Sequence, residues 1–218
     1  MGCSSGPDVV EDGLVLCLDA GSKRSYPGTG TTWYDTSGNG NDGTLTNGAS
    51  FSEAGGGTIV FDGSNDYVYT TFSGITGQNP RTVSIWYYSD VSQNKNLLGY
   101  GTNSNKALWD VLMYNGKVGV HLYSSTNEAG VTYSNTVWQN IIFTYEHPTI
   151  KSYLDGSYSN QYTNSSINTG TANNLNIAKG HYSYFYFNGN IATVHMYDRA
   201  FTPQEVRKNY LSTKERYQ

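Results

Sequence analysis

Hydrolysis of a glycosidic bond asks for two carboxylates facing one cleft, which a strand supplies as alternate residues. The glutamates here, Glu11, Glu53, Glu128, Glu146, Glu205 and Glu215, stand apart from one another, and none has an aspartate two residues on within a strand-like run. Nucleophile chemistry fares no better. There is no Gly-x-Ser-x-Gly elbow, Cys17 has no obvious histidine partner, and His121, His147, His181 and His195 are scattered. No glycine loop precedes a helix to cradle phosphate. The expectation is a protein without catalytic activity.

Binding chemistry is better represented. Hard oxygen ligands cluster at Asp35, Asn39, Asn41 and Asp42, and again at Asp62, Asn65 and Asp66, which are the first candidates for a Ca²⁺ site. Neither cluster follows EF-hand spacing, and the alternative is that these side chains make Asx-turns to their own backbone. Tyrosine is in excess, 20 in all. Tyr182, Tyr184 and Tyr186 alternate on one face of an expected strand, and with Trp109 they are the candidate ligand-binding residues, offering a sugar-stacking or protein-docking face. Cross-strand aromatic packing is the competing account, more so for Trp109, Tyr87, Tyr88 and Tyr100 than for the tyrosine row.

The elements that must position these residues read as strands and turns. Leu14 to Leu18, Thr58 to Phe61, Tyr67 to Thr71, Arg81 to Tyr88, Val137 to Tyr145 and Ile150 to Leu154 carry strand-like patterns. Ala107 to Tyr114 and Lys117 to Tyr123 form an expected hairpin about Asn115-Gly116, and Asp155-Gly156 marks another. Asn160 to Asn176 has no apolar period and is expected to be a surface excursion. A last strand, Asn190 to Asp198, places Ala192, Val194 and Met196 on one face and Ile191, Thr193, His195 and Tyr197 on the other. It leads into a helix with Thr202 as N-cap, Pro203 at its first position, Glu205 at its third, and Phe201 and Val206 as a hydrophobic staple.

Composition bounds the rest. A chain of 218 residues with 13 Lys plus Arg against 17 Asp plus Glu fits one all-β domain of short strands and polar turns. A net charge of -4 argues against nucleic acid. No membrane-spanning run is present. Met1 to Pro7 is polar and lacks the features of a secretion signal, so residues 1–12 are expected to be a flexible arm ahead of a single domain over 13–218. Cys3 and Cys17 are the only cysteines, and no disulfide is expected between the arm and the opening strand.

Four pieces of this sequence carry a resemblance. GLVLCLDAG at Gly13 to Gly21, WYDTSGNGNDGTLTNG through IVFDGSNDYV from Trp33 to Val68, YLDG at Tyr153 to Gly156, and GNIATVHMYDRAFTPQEVRKNY at Gly189 to Tyr210 resemble, in order, the laminin G-like domains of the concanavalin A-like superfamily. The resemblance implies an all-β, two-sheet antiparallel jelly roll with one short C-terminal helix. Its glycosidases carry Glu-x-Asp-x-x-Glu, which is absent here, and its laminin G-like members often hold one Ca²⁺ between rim loops. The superfamily spans lectins, adhesion modules, glycosidases and viral coat components, so function does not follow from fold.

The opening is similar in wording and spacing to laminin G-like domains of tailed-bacteriophage virion proteins. That similarity implies a capsid decoration or head-surface protein, assembled in the host cytoplasm, located on the virion and docked on other virion proteins. The alternative is a lectin-like module for host surface glycans on a fibre or cell-surface protein. Self-association is left open by the sequence, and no cofactor beyond the Ca²⁺ candidate is expected.

Overall fold

Runs of alternating apolar and polar residues, cut by glycine and asparagine turns, set the strands of the computed structural model, which describes residues 9–92, 94–125, 128–180 and 185–217. In chain order the strands begin β1 (Leu14–Asp19), β2 (Thr32–Trp33), β3 (Gly43–Thr46), β4 (Ser50–Ser52), β5 (Thr58–Asp62) and β6 (Tyr67–Thr70). Next are β7 (Arg81–Tyr88), β8 (Lys95–Gly101), β9 (Leu108–Tyr114), β10 (Lys117–His121) and β11 (Glu128–Thr132). The chain continues through β12 (Trp138–Glu146), β13 (Thr149–Leu154), β14 (Ser157–Thr163), β15 (Asn173–Ile177) and β16 (Asn188–Tyr197) to helix α1 (Pro203–Thr213).

Two eight-stranded antiparallel sheets face each other. The first runs β14-β13-β12-β7-β16-β5-β4, with β1 continuing along β16 beyond β5. The second runs β11-β10-β9-β8-β15-β6-β3-β2. Their inner faces bury Leu16, Leu18, Phe61, Ile85, Trp109, Val111, Phe143, Leu175 and Val194 in one continuous core. This is the two-sheet jelly roll that the sequence implies. Both expected hairpins form, with left-handed φ at Asn115-Gly116 and at Asp155-Gly156, as a type I′ turn requires.

Helix α1 is specified by local chemistry. The Thr202 hydroxyl accepts from Glu205 N at 3.3 Å and the Glu205 carboxylate accepts from Thr202 N at 2.8 Å, closing a capping box with Pro203 in the first turn. Phe201 and Val206 join Ile142, Tyr153 and Tyr197 in a second cluster, on the outer face of the first sheet. Behind it Arg216 pairs in bidentate fashion with Asp19, at 2.6 and 2.9 Å, and Tyr217 packs 4.4 Å from Trp86 between ring centroids. The chain end is therefore locked onto that face.

Four expectations need correction. A β-bulge between Ile191 and Thr193 reverses the faces at the start of β16, so Ile191 joins the core and Ala192 packs outside with Trp86 and Tyr217. Asn160 to Asn176 is not a pure surface excursion: β15 lies within the second sheet, and Ile167 and Leu175 are buried. The arm does not extend to residue 12, because Val9 and Val10 are buried and Val10 N donates to Asn209 Oδ1 at 2.8 Å. Cys17 is held in a disulfide, and the other cysteine of the sequence, Cys3, lies outside the described residues.

His195 sits on the outer face of β16, paired across to Cys17 and Ser84, and is almost fully buried. Burial pushes its imidazole down from 6.5 to about 4, opposed by Asp19 and reinforced by Arg216. The unfolded chain thus takes up this proton at higher pH than the folded one. Stability present above the ordinary value is lost as pH falls toward 4, by about 3 kcal/mol in total. Glu205, held at about 2 chiefly by the Arg199 side chain, contributes stability above its ordinary 4.5 that is lost as pH falls from there toward 2. Urea unfolding at about pH 7 and about pH 4.5 should show a loss that His195→Gln removes; an equal loss in both proteins would contradict the assignment.

Candidate functional site

The outer face of the second sheet carries a row of side chains set by cross-strand register. Thr44 pairs with Tyr69, Tyr69 with Asn176, Asn176 with Gly99, Gly99 with Asp110, and Asp110 with His121, so six strands contribute one residue each. Period-two alternation places them on the face opposite Val68, Thr70, Leu175, Ile177, Trp109 and Val111; Thr44, Tyr69 and Asn176 reach solvent there, while Gly99, Asp110 and His121 are buried. Gly99, at mid-row, lets the sheet dip: a Cβ there would lie 2.2 Å from Asp110 Oδ1 and 2.8 Å from Gly180 Cα.

Two adjoining hollows follow this row. The deeper one, about 250 Å³, is lined by Gly99, Asn103, Leu108, Asp110, Asn173 and Lys179 among others. The shallower one, about 400 Å³, is lined by Tyr67, Tyr69, Asn173, Asn174, Asn176 and Lys179. Asn173, Asn176 and Lys179 belong to both, which makes the two hollows one groove.

The polar groups are pre-oriented. Asn173 Nδ2 donates to Gly101 O at 2.7 Å and to Asn103 Oδ1 at 3.1 Å, Asn176 Nδ2 donates to Asn174 O at 3.1 Å, and Asn174 Nδ2 donates to the Tyr69 hydroxyl at 3.2 Å. With amide N–H groups engaged along the sheet, the side-chain carbonyl oxygens of Asn173, Asn174 and Asn176 accept no hydrogen bond among the described residues. The Tyr69 ring stands 42% exposed at the shallow end. Lys179 lies 4.2 Å over the Tyr67 ring centroid and 5.7 Å from that of Tyr186. The groove thus offers an aromatic face, hydrogen-bond acceptors for hydroxyl groups and one ammonium, with the buried Asp110 at its floor.

Of the expected ligand-binding residues, Tyr186 stands at this groove as a wall for Lys179. Tyr182 and Tyr184 lie outside the described residues. Trp109 is a correction: its inward register buries it fully, with the Arg81 guanidinium 4.9 Å over its ring and Tyr145 beside it, so it has no face to offer a ligand. Tyr69, Asn176 and Asp110 were not singled out by sequence reasoning. The alternation of Trp109-Asp110-Val111 is the signal that turns Asp110 outward.

The calcium candidates Asp62, Asn65 and Asp66 share one turn, and several of their oxygens accept backbone or side-chain N–H groups. Asp62 Oδ1 accepts from Ser64 N at 2.8 Å, and this and neighbouring backbone N–H groups hold its carboxyl below the usual range. Asp66 is buried, one oxygen accepting from Asp62 N at 3.2 Å and the other set against Gly48. Asn65 contributes its backbone oxygen to Asn47 Nδ2 at 2.7 Å. A cation at Asp62 would have to compete with these contacts, which have the form of an Asx-turn, whereas the buried Asp66 Oδ1 accepts no hydrogen bond among the described residues. Among the described residues no cluster of three acidic, histidine or cysteine side chains is placed to hold a metal.

At the other oxygen-rich loop, Asp35 accepts from Cys17 N, Ser37 N and Asn41 N at 2.8, 2.9 and 3.0 Å, pinning residues 35–42 to the edge of β1. Asp35→Ala should therefore lower stability by about 3 kcal/mol in chemical unfolding; a loss below about 1 kcal/mol would show the loop to be held otherwise.

A further cleft, about 480 Å³, lies elsewhere, between residues 20–29 and 51–57. Glycine backbone makes much of its wall, and the hydroxyl of Tyr26 beneath it is committed to Gly30 O at 2.6 Å. It offers less recognition chemistry than the groove.

A jelly roll of two eight-stranded sheets with a capped closing helix defines the class. Residues 62–207 match the laminin G-like family model described as concanavalin A-like lectin/glucanases superfamily, and the chain belongs to that superfamily. Among solved structures, domain 4 of AbnA, a GH43 extracellular arabinanase from Geobacillus stearothermophilus, in complex with arabinotriose, is similar with a TM-score of 0.74 at 16% identity, over 90% of this chain and 98% of that one. The binding domain of botulinum neurotoxin DC in complex with SialylT has a TM-score of 0.69 at 12% identity, over 93% and 52%. That of Paraclostridial Mosquitocidal Protein 1 has 0.67 at 16%, over 92% and 52%. The chain spans about half the length of these toxin binding domains. Among curated proteins none matches.

Proposed function

We propose that the domain is a carbohydrate-binding module whose ligand lies along the groove on the second sheet. The observation that carries this is the row Tyr69-Asn176-Gly99-Asp110: an exposed ring beside fixed acceptor oxygens is the chemistry that holds a sugar. Support comes from relatives of the same fold in complexes with arabinotriose and with SialylT.

The proposal is of binding without catalysis. Asp110 is the single carboxylate among the described groove residues, whereas glycoside hydrolysis needs two. It is also of metal-independent binding, so treatment with EDTA should leave affinity unchanged; a drop of about tenfold or more would restore the calcium account. The virion-surface role implied by the resemblance is one setting for such a module, and a disulfide at Cys17 fits a particle surface or secreted setting better than a reducing interior.

The test is a glycan array followed by calorimetric titration of the best ligand. Binding that Tyr69→Ala and Asn176→Ala each abolish is expected. Binding indifferent to both would remove the groove from the account.

A further inference from the structure

Resting on the carbohydrate reading, the charge pattern of the groove narrows its ligand. Lys179 follows Ala178, which takes a left-handed φ of 64° and donates its N–H to Leu97 O at 2.9 Å. It precedes Gly180, where a Cβ would lie 2.6 Å from Asp110 Oδ2 and 1.9 Å from Asn96 Nδ2. Both neighbours are thus fixed against the sheet, and the Lys179 side chain is directed across Tyr67 and Tyr186 into the groove that it shares with the asparagine row.

Among the described residues this ammonium has no anionic partner. The ion pairs among the described residues are Arg199 with Asp12 and Glu205, Lys214 with Glu215, and Arg216 with Asp19, and Lys179 is in none of them. Tyrosine faces attract a cation but accept none of its three N–H bonds, so those donors are free for a ligand. A neutral sugar would satisfy the asparagine oxygens and leave the ammonium to water. An acidic sugar satisfies both.

We propose that the groove takes an acidic oligosaccharide, with a sugar carboxylate on Lys179 in the Tyr67-Tyr69 half and a hydroxyl-rich neighbouring ring over Asn173 and Asn103 in the deeper half. The ammonium at one half and the asparagine amides at the other set the direction of the chain, because the carboxylate of the ligand is drawn to Lys179. The protein carries a net charge of -4, so attraction is local and not long-range. Affinity should then fall only about threefold between about 0.05 M and about 0.5 M NaCl.

Two matched pairs test this by calorimetry: trigalacturonate against its methyl ester, and sialyllactose against lactose. In at least one pair the acidic member should bind about tenfold tighter than its neutral counterpart, and Lys179→Met should bring that ratio close to one. Circular dichroism and thermal unfolding establish that the variant is folded. Equal binding of acidic and neutral members, or a ratio that Lys179→Met does not change, would overturn the proposal. If Tyr69→Ala still abolishes binding in that case, the carbohydrate reading survives without it; if Tyr69→Ala changes nothing, both fall.

Discussion

Replacing Arg81 by methionine is expected to lower the free energy of unfolding by about 4 kcal/mol, seen as a drop in melting temperature of roughly 10 °C. Arg81 opens β7 and is fully buried. Its guanidinium donates to the carbonyl oxygens of Ile75, Gly77 and Asn79, to Thr169 Oγ1 at 2.9 Å and to the Tyr100 hydroxyl at 3.3 Å, while its Cζ lies 4.9 and 5.1 Å from the ring centroids of Trp109 and Tyr145. Methionine fills similar space but leaves these acceptors buried without donors, which is the expensive case. Arg81→Lys keeps the charge and loses the fork, and should recover less than half of the loss. Gly77 and Thr169 exchange backbone hydrogen bonds at 2.6 and 3.1 Å, so Arg81 also holds the segment leading into β15 and hence Asn173 and Asn176 of the groove. A loss below about 1 kcal/mol would show that these loops are held without it.

Replacing Tyr69 by alanine is expected to weaken glycan binding at least about thirtyfold with little change in stability, since the ring is 42% exposed and its hydroxyl accepts from Asn174 alone among the described residues. Removing the ring takes away the stacking face and, with it, the contact that orients the Asn174 amide. Tyr69→Phe separates these effects. It keeps the face and should cost only a few-fold in affinity, measured by the same titration. An alanine variant that binds as tightly as the wild type would leave no role for the row.

What could be read in the sequence was local. Thr202, Pro203 and Glu205 specify the start of α1 within four residues, and Asn115-Gly116 and Asp155-Gly156 specify their turns by the backbone conformations they tolerate. Strand β8 was not legible, because a bulge between Asn96 and Leu98 breaks the alternation of Lys95-Asn-Leu-Leu-Gly-Tyr-Gly. Strand β15 was masked by its asparagines, which face out into the groove while Leu175 and Ile177 face in. The groove itself joins residues 44, 69, 176, 99, 110 and 121 through inter-strand register, a long-range property that no single window of sequence contains. Trp109 was misread for the related reason that its face depends on the register of β9, and Arg81 because only the folded 75–79 and 169 segments supply its acceptors.

The most direct measurement is chemical-shift mapping of the ¹⁵N-labelled domain during titration with its best glycan. Saturable shifts concentrated at Tyr69, Gly99, Asp110, Asn173, Asn176 and Lys179 are the predicted result. Shifts centred instead on Tyr26, Phe51 and Gly57, in the cleft between residues 20–29 and 51–57, would contradict the central claim and move the binding site there.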